Sequence, residues 1–215
     1  KLPIQGEFTL TFEAASKMGI SGLQANVGVI DQGDHRHHST IVAMIEQADL
    51  PQDIVARALD LFARIAEAEG KIHNIAPQDV HFHEVGAMDS IVDIVGAAAA
   101  IEYLQPDIVL CDAVEVGSGF VNCAHGRLPV PAPATQELLH GVPCRYGTVD
   151  GEATTPTGAA ILVGTVAEFL PKGVFTPTVI GYGVGRKDFT IPNVLRVALG
   201  TYETVSYTHL RAHET

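Results

Sequence analysis

The chain has no tryptophan, and only three cysteines and three methionines among its 215 residues. Cys111, Cys123 and Cys144 are too few and too scattered for a disulfide framework, and none forms a CxxC pair. That usage fits a reducing compartment, so a cytoplasmic location is expected. Basic residues are scarce: 13 Lys and Arg against 25 Asp and Glu give a net charge of −12. Polyanions attract basic surfaces, so a nucleic-acid partner is excluded. Long apolar runs are missing too. The longest, near Ile91 to Ile101, is broken by Asp93, so no membrane span is expected. A signal-peptide pattern is absent as well.

What is present suffices for a core. Hydrophobic residues make up 47% of the chain, and the length suits one large domain or two small ones. Glu7 to Glu13 and Leu23 to Ile30 alternate apolar and polar residues, as half-buried strands do, and suggest an antiparallel pair. Asp31 to Ser39 reads as a loop, with Ser39 capping a helix through Leu50. Pro51 restarts a helix with Ile54, Val55, Ala58, Leu59, Phe62 and Ile65 on one stripe. VHFH reads as a short strand, and Asp89 or Ser90 as the cap of a small-residue helix through Leu104. DIVLCDAVEVG reads as a strand, and Pro131 to Gly141 as a short helix. Thr154 to Leu170 reads as a helix with a Thr cap and an early Pro. VFTPTVIGYGVG and PNVLRVALG read as closing strands. The expected class is α/β: one compact domain with a mixed sheet, antiparallel strand pairs near the ends and a central Ala/Gly-rich helix.

Chemistry concentrates in four stretches. In VHFHEVGAMDSIVDIVG, strand alternation puts His81 and His83 on one face, where two imidazoles can share a metal ion. Glu84 follows, and Asp89 and Asp93, four apart, fall on one helix face that can return toward the histidines. The plain alternative makes Asp89 a cap, Asp93 a solvated residue and the histidines a polar rim. DHRHH adds His35, His37 and His38, a histidine-rich tract suited to Ni, Zn or Cu. Cys123 and His125 sit two apart in a Gly/Pro-rich loop, where they can bind a soft metal or act as nucleophile and base. GEATTPTG leads Thr154, Thr155, Thr157 and Gly158 into a helix start that can hold a phosphate, and Arg186 is a further anion contact. GYGVG is not a dinucleotide fingerprint, because it opens no helix.

HFHEVGAMDSIVDIVGAAAAIEYL, GSGFVNCAHGRLPVPAPATQELLHGVP, TPTGAAIL and GYGVGRKDFTIPNVLRVALG, in that order, resemble the LarC family over essentially Lys1 to Thr204. The resemblance implies a cytosolic nickel-insertion protein that delivers Ni(II) into pyridinium-3,5-bisthiocarboxylic acid mononucleotide. It implies a CTP-dependent chelatase of the lyase class that matures the nickel-pincer cofactor for apo lactate racemase-type enzymes. A homo-oligomer is expected, with neither nucleic acid nor membrane as partner. In the family, a Gly-rich segment precedes this region and a C-terminal domain that binds CTP with a divalent metal follows it. Residues 1–204 are therefore read as the N-terminal domain, shortened at its start. Residues 205–215, VSYTHLRAHET, resemble a translated sequencing adapter and are set apart from the fold. Two rival readings remain: a metal-dependent hydrolase, because HxH at a strand end also opens such sites, and a non-catalytic nickel store using DHRHH.

Overall fold

The computed structural model describes residues 8–30, 37–82, 88–123 and 125–204. In chain order the first elements are β1 (Phe8–Lys17), β2 (Ile20–Val29), α1 (His38–Glu46), α2 (Gln52–His73), a 3-10 turn at Pro77–Asp79 and α3 (Met88–Leu104). Next come β3 (Leu110–Cys111), β4 (Val114–Ser118), β5 (Phe120–Cys123), β6 (Gly126–Pro129), α4 (Pro133–Leu138), β7 (Cys144–Tyr146) and β8 (Gly151–Glu152). The last are α5 (Pro156–Thr165), β9 (Glu168–Phe169), β10 (Gly173–Val184) and β11 (Val194–Thr204). The class is α/β, as the alternation of patterns predicts.

The largest sheet has strand order β1-β2-β10-β11. It is mixed: β1 and β2 pair antiparallel, β10 and β11 pair antiparallel, and β2 meets β10 in parallel at Leu23 and Gly183. The β1–β2 turn is two residues, Met18 and Gly19, both at positive φ (49° and 83°). That backbone matches the right-handed twist of the strands it joins. Cross-strand register places Leu10, Phe12, Leu23, Val179, Leu195, Val197 and Leu199 on one face, all solvent-exposed, while Phe8 and Val27 at its end pack onto the helices.

The core lies among the helices. Ile54, Val55, Ala58, Leu61, Phe62 and Ile65 recur every three or four residues along α2 and are buried against Ile41 and Ile45 of α1, Ile91 and Ile94 of α3, and Ala160 of α5. Asp53 in the first turn and Lys71 and His73 in the last complement the dipole of α2. Asn74, in the left-handed conformation at φ 54°, ends the helix. A second cluster joins Val114 and Val116 of β4 to Leu139 and Ala159. The expected central helix, α3, buries its first half through Ala98, whereas Tyr103 near its end is 87% exposed. The long α2, which packs against α1, α3, α4 and α5, is the actual hub.

Several local expectations change. Helix α1 begins at His38, with His37 as its N-cap and no side-chain capping bond, so Ser39 lies inside it. Of VHFH, residues 80–82 are described, and His81 among them forms an isolated bridge rather than a strand. DIVLCDAVEVG breaks at Asp112, whose carboxylate accepts the Ala113 N–H (2.8 Å) and pairs with Arg145 (2.8 Å), and β3 and β4 enter different sheets. The Gly117 to Thr135 stretch is not a plain loop, because Phe120–Cys123 and Gly126–Pro129 form a hairpin. Asp89 lies within the first turn of α3.

Candidate metal centre

Two of the histidine-bearing stretches meet. His37, from the DHRHH tract, and His81, from VHFH, form an isolated antiparallel bridge, and the His38 N–H donates to the Val80 carbonyl at 3.4 Å. The cause is local. Val80 and Phe82 are both 1% exposed, so they anchor in the core and turn His81 between them outward. On the other side Ile41 and Ile45, fully buried, seat α1 and fix its N-cap, His37. The His37 and His81 rings are 3.9 Å apart between centres, tilted by 54°, and both residues are exposed. Metal–nitrogen bonds of about 2.0–2.1 Å put two ring centres on one ion about 4.5–5.2 Å apart at right to tetrahedral angles. The observed spacing is shorter than that, so the rings would have to separate to share an ion.

His38 stands behind this pair. Its ring meets Phe82 edge-on at 5.8 Å, and its Nε2 is buried with no hydrogen-bond partner among the described residues. Burial pushes the His38 pKa below its ordinary value, which keeps the imidazole neutral at neutral pH. His35, His83 and Glu84 lie outside the described residues.

Asp89 and Asp93 occupy successive turns at the start of α3. Asp89 Oδ1 accepts the Ser90 N–H at 2.9 Å. Asp93 is exposed as a residue, yet neighbouring atoms crowd its carboxyl. That desolvation raises its pKa, the Asp89 charge adds to the rise, and the Arg186 guanidinium opposes it. Arg186 also donates to Asn26 Oδ1 (3.4 Å), and its carbonyl accepts from Lys17 Nζ (3.1 Å), while Lys17 pairs with Asp188. Arg186 therefore serves α3 and β2 at once.

The threonine cluster is committed mostly to structure. Thr154 Oγ1 donates to the Glu115 carbonyl at 2.7 Å, and Thr155 Oγ1 caps α5 by accepting the Gly158 N–H at 3.2 Å. Thr157 is buried, with its hydroxyl 3.4 Å from Ser90 Oγ, which ties the N-terminal turns of α3 and α5 together. The hydroxyls of Thr154, Thr155 and Thr157 are thus engaged within the protein.

Cys123 ends β5 with its Sγ donating to the Gly126 carbonyl at 3.3 Å. His125, in the hairpin turn, faces a residue that sequence reasoning missed: His73, at the end of α2, with ring centres 4.9 Å apart. Its one signal in the sequence was Glu69, four residues before it and 3.3 Å away in space. Burial pushes the Cys111 and Cys144 thiols up, which makes both poor metal ligands. Among the described residues no group of three or more His, Cys, Asp or Glu is gathered closely enough to hold a metal ion. A hollow of about 470 Å³ is lined by residues including Arg64, Lys71, Glu137 and His140, and none of the candidate ligands borders it.

An α/β domain that presents paired surface imidazoles offers nitrogen donors of the kind that suit borderline metal ions. The chain belongs to the nickel insertion protein family, whose model matches residues 1–215. It is 48% identical over 205 residues to a putative nickel insertion protein of Geobacter metallireducens, covering 94% of this chain and 53% of the relative. Against the pyridinium-3,5-bisthiocarboxylic acid mononucleotide nickel insertion protein of Staphylococcus epidermidis, identity is 46% over 197 residues, covering 92% and 50%. The protein of the same name from Clostridium kluyveri is 46% identical over 215 residues, covering 94% and 54%. The chain thus spans about half the length of these curated relatives. No solved structure matches it. Among the described residues no helix is long and apolar enough to cross a membrane.

Proposed function

We propose that the full-length protein to which this chain belongs inserts nickel into pyridinium-3,5-bisthiocarboxylic acid mononucleotide, and that residues 1–204 supply its nickel-handling domain. The observation that carries this reading is the His37–His81 pair, which joins two histidine-rich stretches on the surface. The printed names of the Staphylococcus and Clostridium relatives support the substrate.

Ni(II) is the cargo. Imidazoles hold it through their nitrogen lone pairs. The thiocarboxylate sulfurs of the substrate are softer ligands and draw the ion away. His38, kept neutral by burial directly behind the pair, prevents a positive charge from repelling the cation. The N-terminal turns of α3 and α5, linked through Ser90 and Thr157, with Arg186 alongside α3, form the phosphate-receiving region. The remaining ligands are sought at His83, Glu84 and His35. CTP with its divalent metal is assigned to polypeptide outside this chain, the recipients are apo lactate racemase-type enzymes, and the location is the cytoplasm.

The test is nickel insertion by the full-length parent carrying His37→Ala and His81→Ala, read through activation of an apo lactate racemase, with CTP binding measured in parallel. Insertion should fall at least tenfold while CTP binding persists. Normal activation would remove this pair from the pathway and return the search to His83 and Glu84.

A further inference from the structure

We propose that His73 and His125 form a second divalent-cation site, separate from the His37–His81 pair and independent of the function proposed above. The residues come from elements far apart in sequence: His73 closes α2 and His125 occupies the turn of the β5–β6 hairpin. Their ring centres are 4.9 Å apart and their planes are 31° from parallel. That separation falls inside the range of about 4.5–5.2 Å expected for two imidazoles on one ion with metal–nitrogen bonds of about 2.0–2.1 Å. Unlike that of His37 and His81, this ring spacing is already compatible with one shared ion.

Glu69 supplies a second observation. Its Oε2 lies 3.3 Å from His73 Nε2, one helical turn back on α2. A carboxylate there accepts the Nε2 proton, fixes the tautomer and leaves the Nδ1 lone pair as the ligand, which is the arrangement that orients metal-bound histidines. The donor set is therefore two imidazoles, with the carboxylate acting through one of them. Among the described residues no group of three or more such side chains is gathered closely enough to hold an ion, so water is proposed to complete the coordination sphere. Borderline late first-row ions, Ni(II) or Zn(II), suit two nitrogens and water. Cys123 is engaged by the Gly126 carbonyl and is not counted as a ligand. The position is exposed, with the His73 side chain 36% accessible and His125 on the surface, so the ion has open access.

Calorimetric titration of the 215-residue chain with Ni(II) tests this. The wild type should show two separable binding events. His73→Gln with His125→Gln should remove one and leave the other, whereas His37→Ala with His81→Ala should do the reverse. Glu69→Gln should weaken only the first event, by about 10–100-fold. The histidines varied are at the surface and Glu69 is half-buried, and the single variant His125→Gln, in a hairpin turn, guards against loss of folding in the double variant. A His73→Gln/His125→Gln titration that superimposes on the wild type overturns the site. An unchanged Glu69→Gln titration overturns the carboxylate's part in it.

Discussion

Replacing Phe82 by alanine should be among the most damaging single changes in the molecule, and the reason is mechanical. Phe82 is 1% exposed and packs its ring 6.2 Å from that of Phe62, on the hub helix, and 5.8 Å from that of His38. With Val80 it pins the strap that presents His81. Truncating a buried Phe costs about 3–5 kcal/mol in lost transfer energy and residual cavity. A domain of this size has a total stability of about 5–15 kcal/mol. The change therefore removes about a fifth or more of the stability of a typical domain. His81→Ala is the control: that side chain is exposed, and its loss should stay within about 0.5 kcal/mol. Urea denaturation followed by circular dichroism measures both. A Phe82→Ala cost under about 1 kcal/mol, or a His81→Ala cost of similar size to it, would refute the anchoring role of Phe82. In folded Phe82→Ala protein, Ni(II) affinity should also fall, because the His37–His81 bridge loses its footing.

Thr155→Ala removes the side-chain bond that caps α5 and should cost about 0.5–2 kcal/mol in thermal denaturation. Gly117→Ala and Gly126→Ala form a matched pair, both at positive φ (91° and 97°). A Cβ at 117 would meet the Gly151 carbonyl at 1.9 Å, whereas one at 126 meets nothing within 4 Å. The second change should cost about 1–2 kcal/mol for the left-handed backbone alone; the first should cost clearly more and disrupt β4–β8 pairing, read by hydrogen exchange. Asp93→Asn addresses pH. The Asp93 pKa is raised above its ordinary value of 3.8 in the fold, so the folded state binds the proton more readily. Its stabilising contribution is present below 3.8 and is lost as pH climbs through the raised value. Asn should flatten this decline in denaturation midpoint over the acidic range, and an unchanged pH profile would contradict the assignment.

The elements that could be read from the chain were those whose patterning is local. The apolar stripe of α2 and the alternation in β1, β2, β10 and β11 each follow from one short window. The Thr155 cap was visible because a capping threonine followed by proline is a local signal. What failed depended on partners elsewhere. DIVLCDAVEVG looks like one strand until Asp112 finds Arg145, 33 residues on. The hairpin at Cys123 was hidden by its glycines. The candidate site shows the same limit. Val80, His81 and Phe82 predicted an outward imidazole between two anchors, and that is where His81 sits. No local pattern could show that its neighbour would be His37, 44 positions earlier, because that contact depends on α1 packing against α2. His73 was equally invisible, since a histidine in the last turn of a helix reads as a dipole partner until the hairpin brings His125 onto it.

The central claim is that His37 and His81 hold nickel together. Equilibrium Ni(II) binding by the chain, compared among wild type, His37→Ala, His81→Ala and the double variant, tests it most directly. If the two imidazoles share one ion, each single change should weaken the same binding event by about tenfold or more. The double change should then add little, because a lone imidazole no longer chelates. Independent, additive effects of the two changes, or affinity unchanged in the double variant, would contradict it.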